Sequence, residues 1–360
     1  MSQNVMPQQI GMQQSFAQAI VESLPGLLLV TAVAFAANFA APALEAYPLF
    51  KTYLSLKDFI LAIIIGMTIR NTVGVPAVFQ PGLRYSTILT KTGIVIMGSS
   101  YSLAGLVSVG AQALVFISVF LFGTALLMMW LCRKLGMSTA LGACLAAGMS
   151  VCGVSATIAI APAVKAKNED MAYTIAVVLM FGLLALIAFP MVGRMFNLSP
   201  EQFGAFAGVG IVNSAQVLAA GFGYSPDAGK VAGIYNIGRV VFLPFVVLML
   251  AIMAASQEEK QGNEVTKINK LQMIRDKFPV FILGFIVIVS LNTIGMLSKP
   301  EIKIAKTFME WAFLLGFASI GLTTRLSDLR AAGFRGFVFG FGVAGIKAAC
   351  ALAAVLFFID

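Results

Sequence analysis

The residues best placed to do chemistry in this chain are uncharged. Two stretches stand out: Ala147-Gly148-Met149-Ser150-Val151-Cys152-Gly153-Val154-Ser155-Ala156-Thr157, running on to Ala161-Pro162, and Ala207-Gly208-Val209-Gly210-Ile211-Val212-Asn213-Ser214-Ala215-Gln216. Each sets glycines and small polar groups inside apolar sequence. Glycine lowers helix propensity and lets a ligand or another backbone come close. At membrane depth, freed backbone amides and carbonyls are tolerated only inside protein or beside a wet cavity. Helices broken this way aim N-terminal N–H groups at anions, and their carbonyls hold cations. Close helix packing through small residues also accounts for such runs. It fits the second stretch less well, because Asn213 and Gln216 need polar partners away from water.

Charges inside apolar runs are few: Arg70, Lys91, Arg239, Glu310 and Lys347. Intramembrane ionisable residues mark function by default. Arg239 has Asn236 one helical turn earlier on the same face. Arg70, Lys91 and Lys347 lie nearer run ends or can snorkel to the interface. Glu310 is the only carboxylate well inside a run, so there is no acidic pair of the kind a cation exchanger uses. The core is neutral to positive, which favours anionic cargo. With no histidine in the chain, a histidine metal site, general base or proton relay is excluded. Walker, HExxH and GxSxG motifs are missing. The expectation is that this is not an enzyme and binds no nucleic acid. Cys132, Cys144, Cys152 and Cys350 have no CxxC spacing and read as reduced, buried, small apolar residues.

The elements that position these residues follow from composition. Of 360 residues, 59% are hydrophobic and 11% charged, with mean hydropathy +0.94. A soluble globule of this size would lack the polar residues to cover its surface. The reading is an all-α polytopic membrane protein embedded in a lipid bilayer. Apolar runs fall at 24–44, 57–75, 86–107, 110–131, 138–161, 172–193, 203–222, 229–254, 279–297, 305–324 and 334–358, which suggests 10–11 transmembrane helices. The Gln-rich residues 1–23 lack the positive charges of a cleavable signal and read as a tail or an interfacial helix. Residues 24–254 form a first half containing both broken segments, 255–278 a charged loop, and 279–360 the helices that complete a second repeat. The net charge of +9 is mostly loop Lys/Arg. If every run crosses, 12 of these lie on the N-terminal side and 8 on the other, a weak bias to N-terminus inside.

Two internal echoes conflict. Gly98, Leu103, Leu106 and Gly110 match Gly321, Leu326, Leu329 and Gly333 at an offset of 223, while the two polar stretches match at an offset of 60. A single linear repeat cannot give both. With one run between them, the polar stretches would cross in the same direction unless a segment is re-entrant.

Gly148-Met-Ser-Val-Cys-Gly153, Ala161-Pro-Ala-Val-Lys-Ala166, Ala215-Gln-Val-Leu-Ala-Ala-Gly221, Ser225-Pro-Asp227, Arg239 and Gly321-Leu-Thr-Thr324 together resemble the sulfate-exporter family of YeiH-like bacterial inner-membrane proteins. That family is grouped with the cation:proton antiporter/anion transporter superfamily. The resemblance implies inverted repeats, broken or re-entrant helices at the core, an elevator-like transport domain and a homodimer. It suggests sulfate, sulfite or sulfonates as cargo. Where the family carries His-Glu, this chain has Val212-Asn213; its Glu-Pro is Ala161-Pro162 here, and a Lys is Asn236. Coupling is then lost, moved to Na⁺ held by neutral oxygens near Asn213 and Gln216, or adapted to other cargo.

The expected function is a secondary transporter for a small anion such as sulfate, sulfite, sulfonate or carboxylate. Gly148, Ser150, Cys152, Gly153 and Ser155 would offer donors, Asn213, Ser214 and Gln216 a facing polar wall, Asn236 and Arg239 the charge, and Thr323 and Thr324 outer contacts. A passive anion channel of the same architecture and a non-transporting sensor or scaffold are the alternatives.

Overall fold

The computed structural model describes residues 16–45, 58–260, 269–327 and 333–359. The rest of the N-terminal tail lies outside the described residues. Among them every regular element is helical: α1 (Phe16–Glu45), α2 (Asp58–Thr72), α3 (Gln80–Leu83), α4 (Ser86–Met97), α5 (Leu103–Lys134), α6 (Thr139–Ser150), α7 (Val154–Ile160), α8 (Asn168–Met195), α9 (Pro200–Gly210), α10 (Ser214–Tyr224), α11 (Pro226–Val241), α12 (Leu243–Lys260), α13 (Lys270–Lys277), α14 (Phe281–Thr293), α15 (Lys299–Thr323) and α16 (Gly333–Phe358). The all-α polytopic expectation holds. Among the described residues, five helices are long and apolar enough to cross a membrane alone, and α11 with α12 makes a sixth span bent by 43°. The remaining apolar helices are shorter.

The chain packs as two bundles. Helices α1–α4, α14 and α15 pack mainly on one another, and α5–α12 with α16 form the second group. This grouping cuts across the halves 24–254 and 279–360, because α16 returns to the first half's helices. The direct contact between bundles runs chiefly from α10 to α2 and from α14 to α5.

The two polar stretches do not cross the membrane straight. Each is a re-entrant helical hairpin. In the first, a Cβ on Gly148 of α6 would lie 2.7 Å from the Thr157 hydroxyl of α7. Nine residues of continuous helix would hold them about 13 Å apart, so α7 folds back along α6. In the second, the Phe203 ring near the start of α9 stacks on Tyr224 at the end of α10, with centroids 3.8 Å apart. The Tyr224 hydroxyl donates to the Leu198 carbonyl at 2.8 Å, just before α9. Both ends of that hairpin therefore share one face.

Local sequence accounts for these turns. Ser138 caps α6, its hydroxyl accepting from the Leu141 amide at 3.2 Å. Ser199 caps α9 in a reciprocal box with Gln202, and Pro200 follows at the first helical position. Gly153 turns the first hairpin at φ 76°, ψ −113°, where a side chain is strained. Ile211 and Asn213 turn the second in extended conformation, and the Asn213 side chain then caps α10 by accepting from the Ala215 amide at 3.0 Å.

The hairpins resolve the conflict between echoes. The first opens to the side holding Ser138, α8 crosses, and the second opens to the opposite side at Ser199. Hairpin plus span repeats, inverted, at an offset near 60. The other echo sits at two bundle-to-bundle turns, α4 to α5 and α15 to α16. These lie on opposite faces: Asn292 and Thr293 hold Tyr101 and Leu103 on one, and Asn71 holds Thr324 and Leu326 on the other. Leu329 lies outside the described residues. Both pairings are thus inversions in a permuted order.

Topology also sharpens the charge bias. The first hairpin brings Lys165 and Lys167 to the N-terminal side and sends Arg194 to the opposite one. The tally of 12 to 8 becomes 13 to 7 by connectivity. By the positive-inside rule that bias favours the N-terminal side as the cytoplasmic one.

Candidate functional site

The tips of the opposed hairpins meet. A Cβ on Gly153 would stand 3.4 Å from Asn213 Nδ2 and 3.5 Å from Asn213 Cα. Helix α8 backs both tips along one face, at residues spaced by four. Thr174 and Val178 lie against Gly148, Val178 against Gly153, and Gly182 against the Gln216 amide. The sequence reading set the two stretches facing each other across a site; the fold-back is what brings their tips into contact.

Each tip presents helix C-terminal carbonyls, which carry partial negative charge. Each is met by one buried cation from another helix. Arg239 of α11, 1% exposed, donates from Nη1 to the Ile211 carbonyl at 2.7 Å and from Nη2 to Asn236 Oδ1 at 3.3 Å. Lys347 of α16, 5% exposed, donates from Nζ to the Met149 carbonyl at 3.0 Å. The snorkelling expected of Lys347 is overturned: α16 packs on α9 and α8, so its side chain has no path to an interface. Lys347 is the functional candidate that sequence reasoning missed. Its signal was position alone, near the middle of the run 334–358. Arg70 stays peripheral, whereas Lys91 of α4 lies within electrostatic reach of Cys152 at the first tip. Arg70 donates to the Val75 carbonyl at the end of α2, and Lys91 lies over the Phe281 ring.

The other nominated residues divide. Cys152 is buried at the first tip, close to the Ala156 amide and the Ser155 side chain and within electrostatic reach of Arg239. Ser150 turns back to the Ala146 carbonyl at 2.6 Å, so its donor is already used. Asn213 spends its oxygen on the α10 cap, leaving its amide toward Gly153. Ser214 Oγ, Gln216 Oε1 and Arg239 Nε are buried without hydrogen-bond partners, as is Thr174 Oγ1 on α8. Gln216 Nε2 reaches the Leu179 carbonyl at 3.3 Å. Unpartnered buried polar atoms cost free energy unless something meets them. These four cluster at the tips and against α8, while Ser99 Oγ, also unpartnered, lies at the turn from α4 to α5. Thr323 and Thr324 end α15 in the other bundle, bonded to their own helix carbonyls. Cys132 and Cys144 are buried as expected, whereas Cys350 is exposed on α16. Glu310 lies at the seam between bundles, 4.0 Å from Lys306. No group of three or more His, Cys, Asp or Glu able to hold a metal occurs among the described residues.

A family model described as "Conserved hypothetical protein 698" matches residues 25–340. The chain belongs to this family. A UPF0324 membrane protein of Nitratidesulfovibrio vulgaris is 84% identical over 360 residues, the whole of both chains. A second from that organism is 32% identical over 365 residues, covering 96% of this chain and 98% of its own. The UPF0324 inner membrane protein YeiH of Escherichia coli is 30% identical over 281 residues, 76% of this chain and 78% of its own. No solved structure matches. The YeiH-like resemblance is thereby established, and the chain is a multi-pass inner-membrane protein.

Proposed function

We propose that the protein is a secondary transporter for a small anion, of the sulfate, sulfite, sulfonate or carboxylate class. The observation that carries this reading is the meeting of two re-entrant hairpins from opposite faces, with Arg239 buried at their contact. Such an inverted pair offers each face a route to one central site. The bound anion would meet the α10 N-terminus, the Ser214 hydroxyl, the Asn213 amide and Arg239 Nε. The two-bundle packing supports alternating access by sliding the hairpin bundle along α2 and α14. Touching tips favour a carrier over an open channel, since a channel needs a continuous bore. For coupling, Gln216 Oε1 is an acceptor suited to Na⁺; Asn213 Oδ1 serves less well, being engaged in the helix cap.

The test is flux in proteoliposomes over sulfate, sulfite, taurine and small carboxylates, with and without a Na⁺ gradient. Wild type should carry at least one of these, and Arg239→Met should lose that flux about 100-fold or more, as expected for a buried charge at a binding centre. Undiminished flux in Arg239→Met would remove the tips as the site.

A further inference from the structure

A second polar space lies away from the tips. A cavity of about 220 Å³ opens on the seam between the bundles, at the face opposite the N-terminus. Asp58 and Phe59 of α2, Ser100 before α5, and Lys306, Met309 and Glu310 of α15 line one wall. Phe222 of α10, Pro226 and Lys230 of α11 line the other. Its floor is apolar and buried: Phe59, Phe222 and Met309. Behind the floor, Phe59, Phe222, Phe313 and Phe317 interlock with ring centroids 5.6–6.0 Å apart. The cavity therefore ends on a plug of rings between the second hairpin and the other bundle.

Its rim carries both signs of charge. Asp58 and Lys306 act electrostatically on Glu310, and Lys306 also acts on Asp227 across the seam. Lys230 pairs with Asp227 at 2.9 Å. Lys230 and Lys306, one on each bundle, thus face the same small space as Asp58 and Glu310, with Asp227 paired to Lys230 at its edge. A bare anion entering here meets Asp58 and Glu310 as well as the lysines, so its attraction is largely cancelled. A solute with both charges satisfies both sets, and complementary placement gives specificity rather than bulk attraction. This role also accounts for Glu310, the single carboxylate well inside an apolar run, which the tips do not use.

We infer that this seam cavity receives the solute on the outer face, and that the solute is a small zwitterion: an ammonium end for Glu310, and a sulfonate or carboxylate end for Lys230 and Lys306. The inference rests on the transporter reading and narrows its cargo to amino-sulfonates or amino-carboxylates. The oxyanion end would then pass the plug toward Arg239.

The experiment compares pairs that differ only in the ammonium group: taurine with isethionate, and β-alanine with 3-hydroxypropionate. Equilibrium binding to the purified full-length protein and proteoliposome flux are both read. Taurine or β-alanine should bind at least 10-fold more tightly than its hydroxyl partner. Glu310→Gln should weaken the zwitterion about 10-fold and strengthen the hydroxyl partner, whose anion it no longer repels, while Lys230→Gln should weaken both. Arg239→Met should abolish flux yet keep zwitterion binding at the seam. Equal binding of each pair, no binding of either zwitterion, or a Glu310→Gln effect on both partners alike would overturn the inference. Flux of sulfate without zwitterion preference would sink it while sparing the transporter reading. Zwitterion binding without flux of any solute would instead count against transport itself.

Discussion

Replacing Gly153 with alanine tests the hairpin contact most directly. Two costs are separable. The backbone sits at φ 76°, ψ −113°, where a side chain costs about 1–3 kcal/mol. The new Cβ would also stand 2.6 Å from Val178 Cγ1, well inside the roughly 3.5–4.0 Å of a normal carbon contact, and such overpacking costs about 1–3 kcal/mol more. Gly136 supplies the control. It has φ 67° and nothing within 4 Å of its Cβ, so Gly136→Ala meets only the backbone cost, about 1–2 kcal/mol. In detergent, the apparent melting midpoint should fall by roughly 2–4 °C for Gly136→Ala and roughly twice that or more for Gly153→Ala. Such midpoints report a rate where unfolding is irreversible, so both variants must be scanned alike. Adding Val178→Ala should return part of the loss, with a coupling of about 1–3 kcal/mol between the two sites. Equal shifts for the two glycines, or no coupling to Val178, would refute the packing of the first tip on α8.

Other outcomes follow from the same geometry. With Cys350 replaced by alanine, cysteines placed at Lys134 and Lys167 should react with a membrane-impermeant maleimide from one side, and those at Glu201 and Asp227 from the other; labelling of Lys134→Cys and Lys167→Cys from opposite sides would mean that the first stretch crosses. Lys347→Met leaves the Met149 carbonyl without its donor and should lower stability by about 1–2 kcal/mol, read as a lower melting midpoint; an unchanged midpoint would show that burying the ammonium offsets its bond. Gly182→Ala drives a methyl into the Gln216 amide and should destabilise by about 1–3 kcal/mol. That loss should shrink in a Gln216→Ala background, and a persistent full loss would contradict the contact.

Much of this protein was legible in its sequence. Charge is so scarce and apolar runs so long that only a helical membrane protein could satisfy the backbone and the surface. Serine and proline at 138, 199–200 and 225–226 start helices through capping chemistry, a local signal that the run lengths did not use. Gly153 announced a turn, and Arg239 stood out because a charge in an apolar run needs a partner. The missing histidine remained a sound exclusion. The positions of Asn213 and Gln216 were identifiable because amides away from water are costly.

Tertiary structure decided what local pattern could not. A hairpin and a straight crossing have the same composition and the same run length, so fold-back is visible only in pairs such as Gly148 with Thr157 and Phe203 with Tyr224. That choice reversed the faces of Lys165, Lys167 and Arg194 and made the two echoes compatible. It also gave Lys347 a carbonyl to bind, where sequence offered only a route to the interface. Thr323 and Thr324 carried a family-like motif yet ended in the other bundle, because contact depends on which helices pack, and sequence adjacency does not fix that. Sequence determined the solvent of this chain and the chemistry of its tips, since burial and capping are local properties. The meeting of the tips and the seam between bundles came from long-range packing, whose partners lie tens to hundreds of residues apart.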